Sequence, residues 1–218
     1  MAPAGDAAFQ GGMPLSSGHC KSFASSSALR SVSFYRRRLP HWQLDGKSLF
    51  LTWHLHSSLP HNMFPPPGAL SAGQAFVWMD RYLDEARVGP TWLKREEVAG
   101  VVVQSIHLAA EQLGYCSLHA FVVMANHVHL LVTPLVSPSK LLQSVKGYSA
   151  REANKLLDRT GGPFWQTESY DHWIRDDSEF ERVRRYIENN PVRSGLVVKP
   201  EDYRWSRANA GSKAVVAG

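Results

Sequence analysis

The stretch Asn126-His127-Val128-His129-Leu130-Leu131-Val132 sets two imidazoles one residue apart at the start of an otherwise apolar run. On a strand, side chains alternate between faces, so His127 and His129 share one face while Val128, Leu130 and Val132 share the other. Two imidazoles side by side can hold one metal ion; equally, they can hydrogen-bond within a core or stand exposed at a strand end. The chain supplies its own control, because His54-Leu55-His56 repeats the spacing but runs straight into the turn-forming residues 57–62, where His56 is expected to be solvated. Spacing alone therefore decides nothing. Residues 121–134 contain no acid, so the general base that a metal-dependent hydrolase of the HExxH kind needs beside its histidines is not supplied locally. Cys20 and Cys116 lie far apart without partner spacing, which excludes a zinc knuckle and a disulfide framework. The glycines never form GxxxxGK[ST], so no nucleotide cofactor is expected.

The elements that must hold these residues follow from pattern. The alternating run at 49–55 predicts a strand, and the Pro65-Pro66-Pro67-Gly68 breaker precedes a helix at about 72–87. Val98, Val102, Ile106, Ala109 and Leu113 step by three or four along one face of a second helix at about 95–113, with Gly114 where a C-cap belongs. Residues 117–124 and 127–133 read as an antiparallel hairpin, and Pro138 opens a helix to about 157. After Gly161-Gly162-Pro163 the segment 164–175 looks extended. Ser178 with Glu181 forms a capping-box start for a last helix, expected to stop at Pro191. Strand, helix, helix, hairpin, helix, short strand, helix is an α+β order: a small antiparallel β-sheet flanked by helices. Residues 1–33, dense in Ser, Gly and Ala, are expected to be a disordered tail; 34–208 form a single domain, and 209–218 a flexible C-terminus.

A chain of 218 residues that is 44% hydrophobic and 11% aromatic can build a sizeable core. Its formal charge of +5 permits a nucleic-acid partner without requiring one. Residues 1–40 hold Lys21, Arg30, Arg36, Arg37 and Arg38 against Asp6 alone, so any polyanion site in the folded part must come from local clustering. No apolar run has the length of a membrane span, and no signal peptide is visible; a cytoplasmic, nucleoid-associated protein is expected.

Taken together, "FVVMANHVHLLVTP" and the later "ERVRRYIENNPVRSGLV" resemble the HUH single-tyrosine transposases, and in detail the REP-associated tyrosine transposases. The likeness runs from about Tyr35 to Trp205 and takes in "RRRLPHWQ", "GPFWQTESYDHWIRD" and "YIENNPV" in family order. It implies a ferredoxin-like or RRM-like HUH endonuclease fold, and an enzyme that cleaves and rejoins single-stranded DNA at palindromic hairpins through a 5′-phosphotyrosine intermediate. It implies further that His127 and His129 bind the metal, that Tyr186 is the nucleophile, and that Asn190 completes metal binding. The residues agree with these roles. On a helix from about 178 to 190, Phe180, Val183 and Ile187 make the apolar face, while Tyr186 and Asn190 form an i, i+4 pair beside it. Two imidazoles and a carboxamide, with no thiolate, suit Mg²⁺ or Mn²⁺ better than structural zinc. Tyr148 and Tyr170 are the rival nucleophiles, each without an asparagine at i+4 beside a helix stop.

Arginines interleaved with aromatics would hold the DNA: Arg36, Arg37 and Arg38 beside Trp42, Arg175 beside Trp173, Arg182 and Arg185 near Tyr186, and Arg204 and Arg207 around Trp205. Arg182 and Arg185 could also help the phenol ionise. The expected partner is single-stranded DNA bearing a hairpin of the repetitive extragenic palindrome type, with no membrane partner, and the protein acts as a monomer or a dimer. The competing reading is a catalytically inactive or domesticated DNA- or RNA-binding regulator on the same fold.

Overall fold

The computed structural model describes residues 33–36, 40–43, 46–59 and 72–208. Residues 1–32, the Pro65–Gly68 breaker and residues 209–218 lie outside this range, as do Arg37 and Arg38. The first two strands, β1 (Ser33–Arg36) and β2 (Pro40–Gln43), pair antiparallel as a ribbon ahead of the main sheet.

That sheet contains β3 (Leu49–His54), β4 (Cys116–Val123), β5 (His127–Pro134) and β6 (Tyr170–Trp173), all antiparallel, in the spatial order β4-β5-β3-β6. Two helices, α1 (Ala72–Glu85) and α2 (Glu96–His107), lie between β3 and β4, and α3 (Pro138–Leu156) lies between β5 and β6. This β-α-β-β-α-β course with the hairpin strand β5 beside β3 is ferredoxin-like, and α4 (Asp177–Arg193) follows it.

Both faces of the sheet are buried because its strands alternate two apolar sets. Leu49, Leu51 and Trp53 of β3, with Val128, Leu130 and Val132 of β5, pack beneath α2 and α3. Phe50 and Leu131 face the other way, onto Phe76, Met79 and Leu83 of α1 and Ile187 of α4. The strand register sets Thr52 opposite His129 and His54 opposite His127, so four polar side chains interrupt this second face. Each of the four is buried.

Three local features differ from the sequence expectation. The second helix is regular only to His107 and continues as a π-helical turn over Leu108–Gln112 before Gly114, which has φ +62°. The N-cap of α4 is Asp176, whose carboxylate accepts from the Glu179 N–H at 2.8 Å, rather than Ser178. Finally, α4 passes through Pro191 to Arg193. Pro191 sits in the last turn, where its missing N–H removes a single hydrogen bond, and Ser194 N–H to Asn190 O (3.0 Å) and Leu196 N–H to Pro191 O (2.9 Å) close the end. Beyond α4 the chain returns along β4: Val123 N–H donates to Trp205 O, Arg207 N–H to Phe121 O, and Ser206 bridges Val122. No helix among the described residues is long and apolar enough to cross a membrane.

Candidate metal centre and active site

His127 and His129 project from β5 into the layer between the sheet, α1 and α4, both with no solvent exposure. Their rings lie 4.8 Å apart. From α1, Asp80 reaches His129 Nε2 at 3.0 Å and His127 Nε2 at 3.9 Å through Oδ1, and Asp84 Oδ1 lies 3.7 Å from His127 Nε2. From α4, Asn190 is fully buried with Nδ2 3.4 Å from His129 Nε2, and one turn earlier the half-buried Tyr186 donates its hydroxyl hydrogen to Asp80 Oδ2. The structure thus brings together all four residues singled out from sequence, His127, His129, Tyr186 and Asn190, and adds Asp80 and Asp84 to them.

The reason lies in how each helix is written. On α1 the apolar stripe is Phe76, Met79 and Leu83, and Asp80 and Asp84 fall at i+4 and i+8 from Phe76, inside that stripe rather than opposite it. A carboxylate on the buried face of a helix is costly unless it meets a cation or several donors. This was the legible signal for the two acids. What the sequence does not reveal is that the stripe is laid over the histidines of β5.

The donor set fits a divalent cation. Asp80, His127 and His129 each offer an atom within 4.8 Å of the other two. His127 Nε2, Asp84 Oδ1 and Asn190 Oδ1 are buried atoms without a hydrogen-bond partner, and such groups are rare unless an ion or water satisfies them. The set combines imidazole nitrogen with carboxylate and amide oxygen and lacks thiolate, which matches Mg²⁺ or Mn²⁺.

Electrostatics point the same way. Burial, reinforced by the neighbouring His129, lowers the His127 pKa to about 3, so its ring is neutral and free to ligate. Burial pushes Asp80 upward, but the charge and hydrogen bond of His129, with His127 and Arg193, outweigh it and hold the carboxyl below its ordinary range. Burial, with the charge of Asp80 behind it, raises Asp84 to about 6. An aromatic wall closes the site: Phe50 stacks on His129 at 5.7 Å, and Phe50 and Phe76 meet the Tyr186 ring edge-on at 6.2 and 6.1 Å.

The remaining expected residues fall elsewhere. Arg175 and Arg182 both pair with Glu179, at 3.7 and 3.2 Å, with their side chains mostly in solvent. Arg204 pairs with Glu96 at 2.8 Å. Arg185 is exposed and Arg207 half-buried, while Arg36 lies on β1. The cation that covers the Tyr186 ring, 4.9 Å from its centre, is Arg193, which sequence reasoning missed because it expected the helix to end before that residue. Trp165 and Trp205 are core side chains, and Trp165 donates to Ser149 Oγ. Of the rival tyrosines, Tyr148 hydrogen-bonds Gln104 at 3.4 Å, away from the histidines. Tyr170 stacks on Phe76 at 4.5 Å, where burial raises its pKa to about 12. In the second HxH pair His54 is buried and bonds the Leu55 carbonyl, and His56 bonds Ser57.

Residues 91–190 match the family model described as "Transposase IS200 like". That segment ends on Asn190 and contains both histidines and Tyr186. A solved structure of a REP-associated tyrosine transposase bound to a REP hairpin is similar at 17% identity, covering 80% of this chain and 81% of that one, with a TM-score of 0.49. A crystal structure from Deinococcus radiodurans R1, of a protein assigned provisionally to the transposases, is similar at 21% identity over 66% of this chain and 89% of that one, with a TM-score of 0.37. No curated protein matches the chain.

Proposed function

We propose that this chain, with its IS200-like transposase segment at 91–190, cuts and rejoins single-stranded DNA through a covalent 5′-phosphotyrosine on Tyr186. The observation that carries the reading is one contact chain: the Tyr186 hydroxyl donates to Asp80, and the same carboxylate stands 3.0 Å from His129 Nε2. A phenol that titrates near pH 10 in water needs a proton acceptor and nearby positive charge, and it has Asp80 and Arg193.

His127, His129, Asp80 and Asn190 would hold Mg²⁺ or Mn²⁺, with Asp84 beside them. Such a cation, when bound, polarises the scissile phosphate and offsets the charge that builds on its oxygens. Asp80 takes the phenolic proton as Tyr186 Oη forms a bond to phosphorus and the bond from phosphorus to the 3′ oxygen breaks. The proton passes to the departing 3′ oxygen, leaving a free 3′-hydroxyl. Another 3′-hydroxyl can run the steps backwards, because one phosphodiester has been exchanged for another and no nucleotide triphosphate is needed.

The hairpin target of the repetitive extragenic palindrome type follows from the sequence motifs of the REP-associated branch, and a cytoplasmic site of action goes with it. Arg185, exposed and adjacent to Tyr186, is the arginine assigned to the DNA backbone, with Arg36, Arg37, Arg38 and Arg207 as further contacts. Arg175, Arg182 and Arg204 would first have to exchange their carboxylate partners for phosphates.

Asp80 and Asp84 also give a second reading some support, because they supply the acid that a metal-dependent hydrolase needs beside its histidines. One experiment separates the readings. Labelled single-stranded DNA carrying a palindrome from beside the protein's own gene is incubated with protein and Mn²⁺ and run on a denaturing gel. A protein–DNA adduct that is lost in Tyr186→Phe and with chelator is expected. Cleavage without adduct that survives Tyr186→Phe would establish hydrolysis instead, and tight binding with neither product would leave a DNA-binding regulator.

A further inference from the structure

Each histidine of the pair has its second ring nitrogen occupied by an uncharged partner. His127 Nδ1 lies 2.8 Å from Asn126 Oδ1, and His129 Nδ1 lies 2.8 Å from Thr52 Oγ1. All four residues are buried, Thr52 and Asn126 to within 1% of complete. Asn126 Oδ1 has only lone pairs to offer, so the hydrogen in the first bond must sit on His127 Nδ1. In the second, His129 Nε2 stands 3.0 Å from Asp80 Oδ1 and 3.4 Å from Asn190 Nδ2; for a cation to sit between that nitrogen and the carboxylate, Nε2 must carry the lone pair, and the ring's hydrogen is then on Nδ1, facing Thr52.

We infer that Thr52 and Asn126 are positioning residues that lock both imidazoles in the Nδ1–H tautomer and turn both Nε2 lone pairs toward the α1 carboxylates and a divalent cation. The inference rests on the metal centre of the proposed function. It explains why His127 Nε2 is buried without a partner while facing Asp80 and Asp84 oxygens at 3.9 and 3.7 Å, an array of lone pairs that a cation would satisfy. Outer partners of this kind fix ligand orientation, and their removal weakens metal binding about 10- to 100-fold.

The strand register makes the arrangement specific. Thr52 is the direct cross-strand partner of His129, and a threonine there offers a hydroxyl at the length needed. Asn126 ends the turn between β4 and β5, and its backbone carbonyl accepts from Leu55 N–H at 2.8 Å, which ties the turn to the end of β3. Neither partner is charged, so each orients an imidazole without favouring its protonation.

The test uses the full chain with ¹⁵N-labelled histidine. Long-range ¹H–¹⁵N spectra in chelator and with Mg²⁺ report the tautomer of each ring, and a Mn²⁺ titration reports affinity. In the wild type His127 is expected in the Nδ1–H form under both conditions, and His129 in that form with Mg²⁺. Thr52→Val should release His129 from that form and weaken Mn²⁺ about 10- to 100-fold, while Thr52→Ser, which keeps the hydroxyl, restores both readouts. Asn126→Ala should do the same at His127, and Asn126→Asp, which keeps the acceptor, should retain the tautomer. Unchanged tautomers and unchanged Mn²⁺ affinity in Thr52→Val and Asn126→Ala would overturn the inference. A wild type with His127 in the Nδ1–H form that binds no Mn²⁺ would instead sink the metal centre and leave the His127 tautomer assignment standing.

Discussion

At the scale of single residues, the site depends on what Asp80 touches. A phenol hydrogen and a histidine nitrogen meet on one buried carboxylate, so Asp80→Asn keeps the shape but removes the proton acceptor. Adduct formation should slow by at least about 10²-fold while DNA binding is retained, as read by the same gel and by a filter-binding assay. His54 offers a separate test of burial. Its pKa is lowered to about 4 because burial penalises the imidazolium. Below about pH 6.5 the unfolded chain takes up a proton that the folded chain refuses, so stability falls as pH drops from there to about 4 and then levels off. One such group contributes a slope of up to about 1.4 kcal/mol per pH unit. In chelator, urea midpoints measured from pH 7 to 4.5 should fall less steeply for His54→Gln than for wild type; equal slopes would mean that His54 is not held neutral. The histidine pair, Tyr186 and Asn190 were legible because they are close in sequence or carried by family motifs. Asp80 showed only as an acid inside an apolar stripe, and its place in the site, like those of Arg193 and Thr52, is made by a tertiary contact.

At the scale of elements, α1 carries more than its pattern announced. Residues 72–87 were expected only as a helix, and they form one, but the two acids within its apolar stripe make it a third wall of the proposed metal centre. Just beyond its C-terminal end stands Gly89, whose φ of +81° and close approach to the Ser57 carbonyl leave no room for a Cβ. Gly89→Ala should therefore cost at least about 1 kcal/mol in a urea denaturation, and the same change at Gly147, which meets nothing within 4 Å, should not. The hairpin of β4 and β5 and the caps of α3 were readable from turn residues and Pro138. The extension of α4 past Pro191 was not, because a proline removes one i→i−4 hydrogen bond and crowds the preceding turn, and in the last turn the residues after it still close the helix end.

At the scale of the whole molecule, the sequence order of strands and helices established an α+β protein, while the alternating run of β3, read only as a strand, is buried at all six residues. The order β4-β5-β3-β6 was beyond reach of local pattern: antiparallel pairing of β3 with β5 across two intervening helices is settled by packing of whole layers. That layering lays α4 across its own sheet, against β4 and β5. Tyr186, the carboxylates and the imidazoles of the proposed site therefore travel on one polypeptide, and dilution is not expected to separate them. The rate of adduct formation per molecule should stay constant as protein concentration falls at saturating DNA. A mixture of Tyr186→Phe with His127→Ala should remain inactive, because neither chain can lend the other its missing half. Restoration of activity on mixing would show that tyrosine helices are exchanged between molecules.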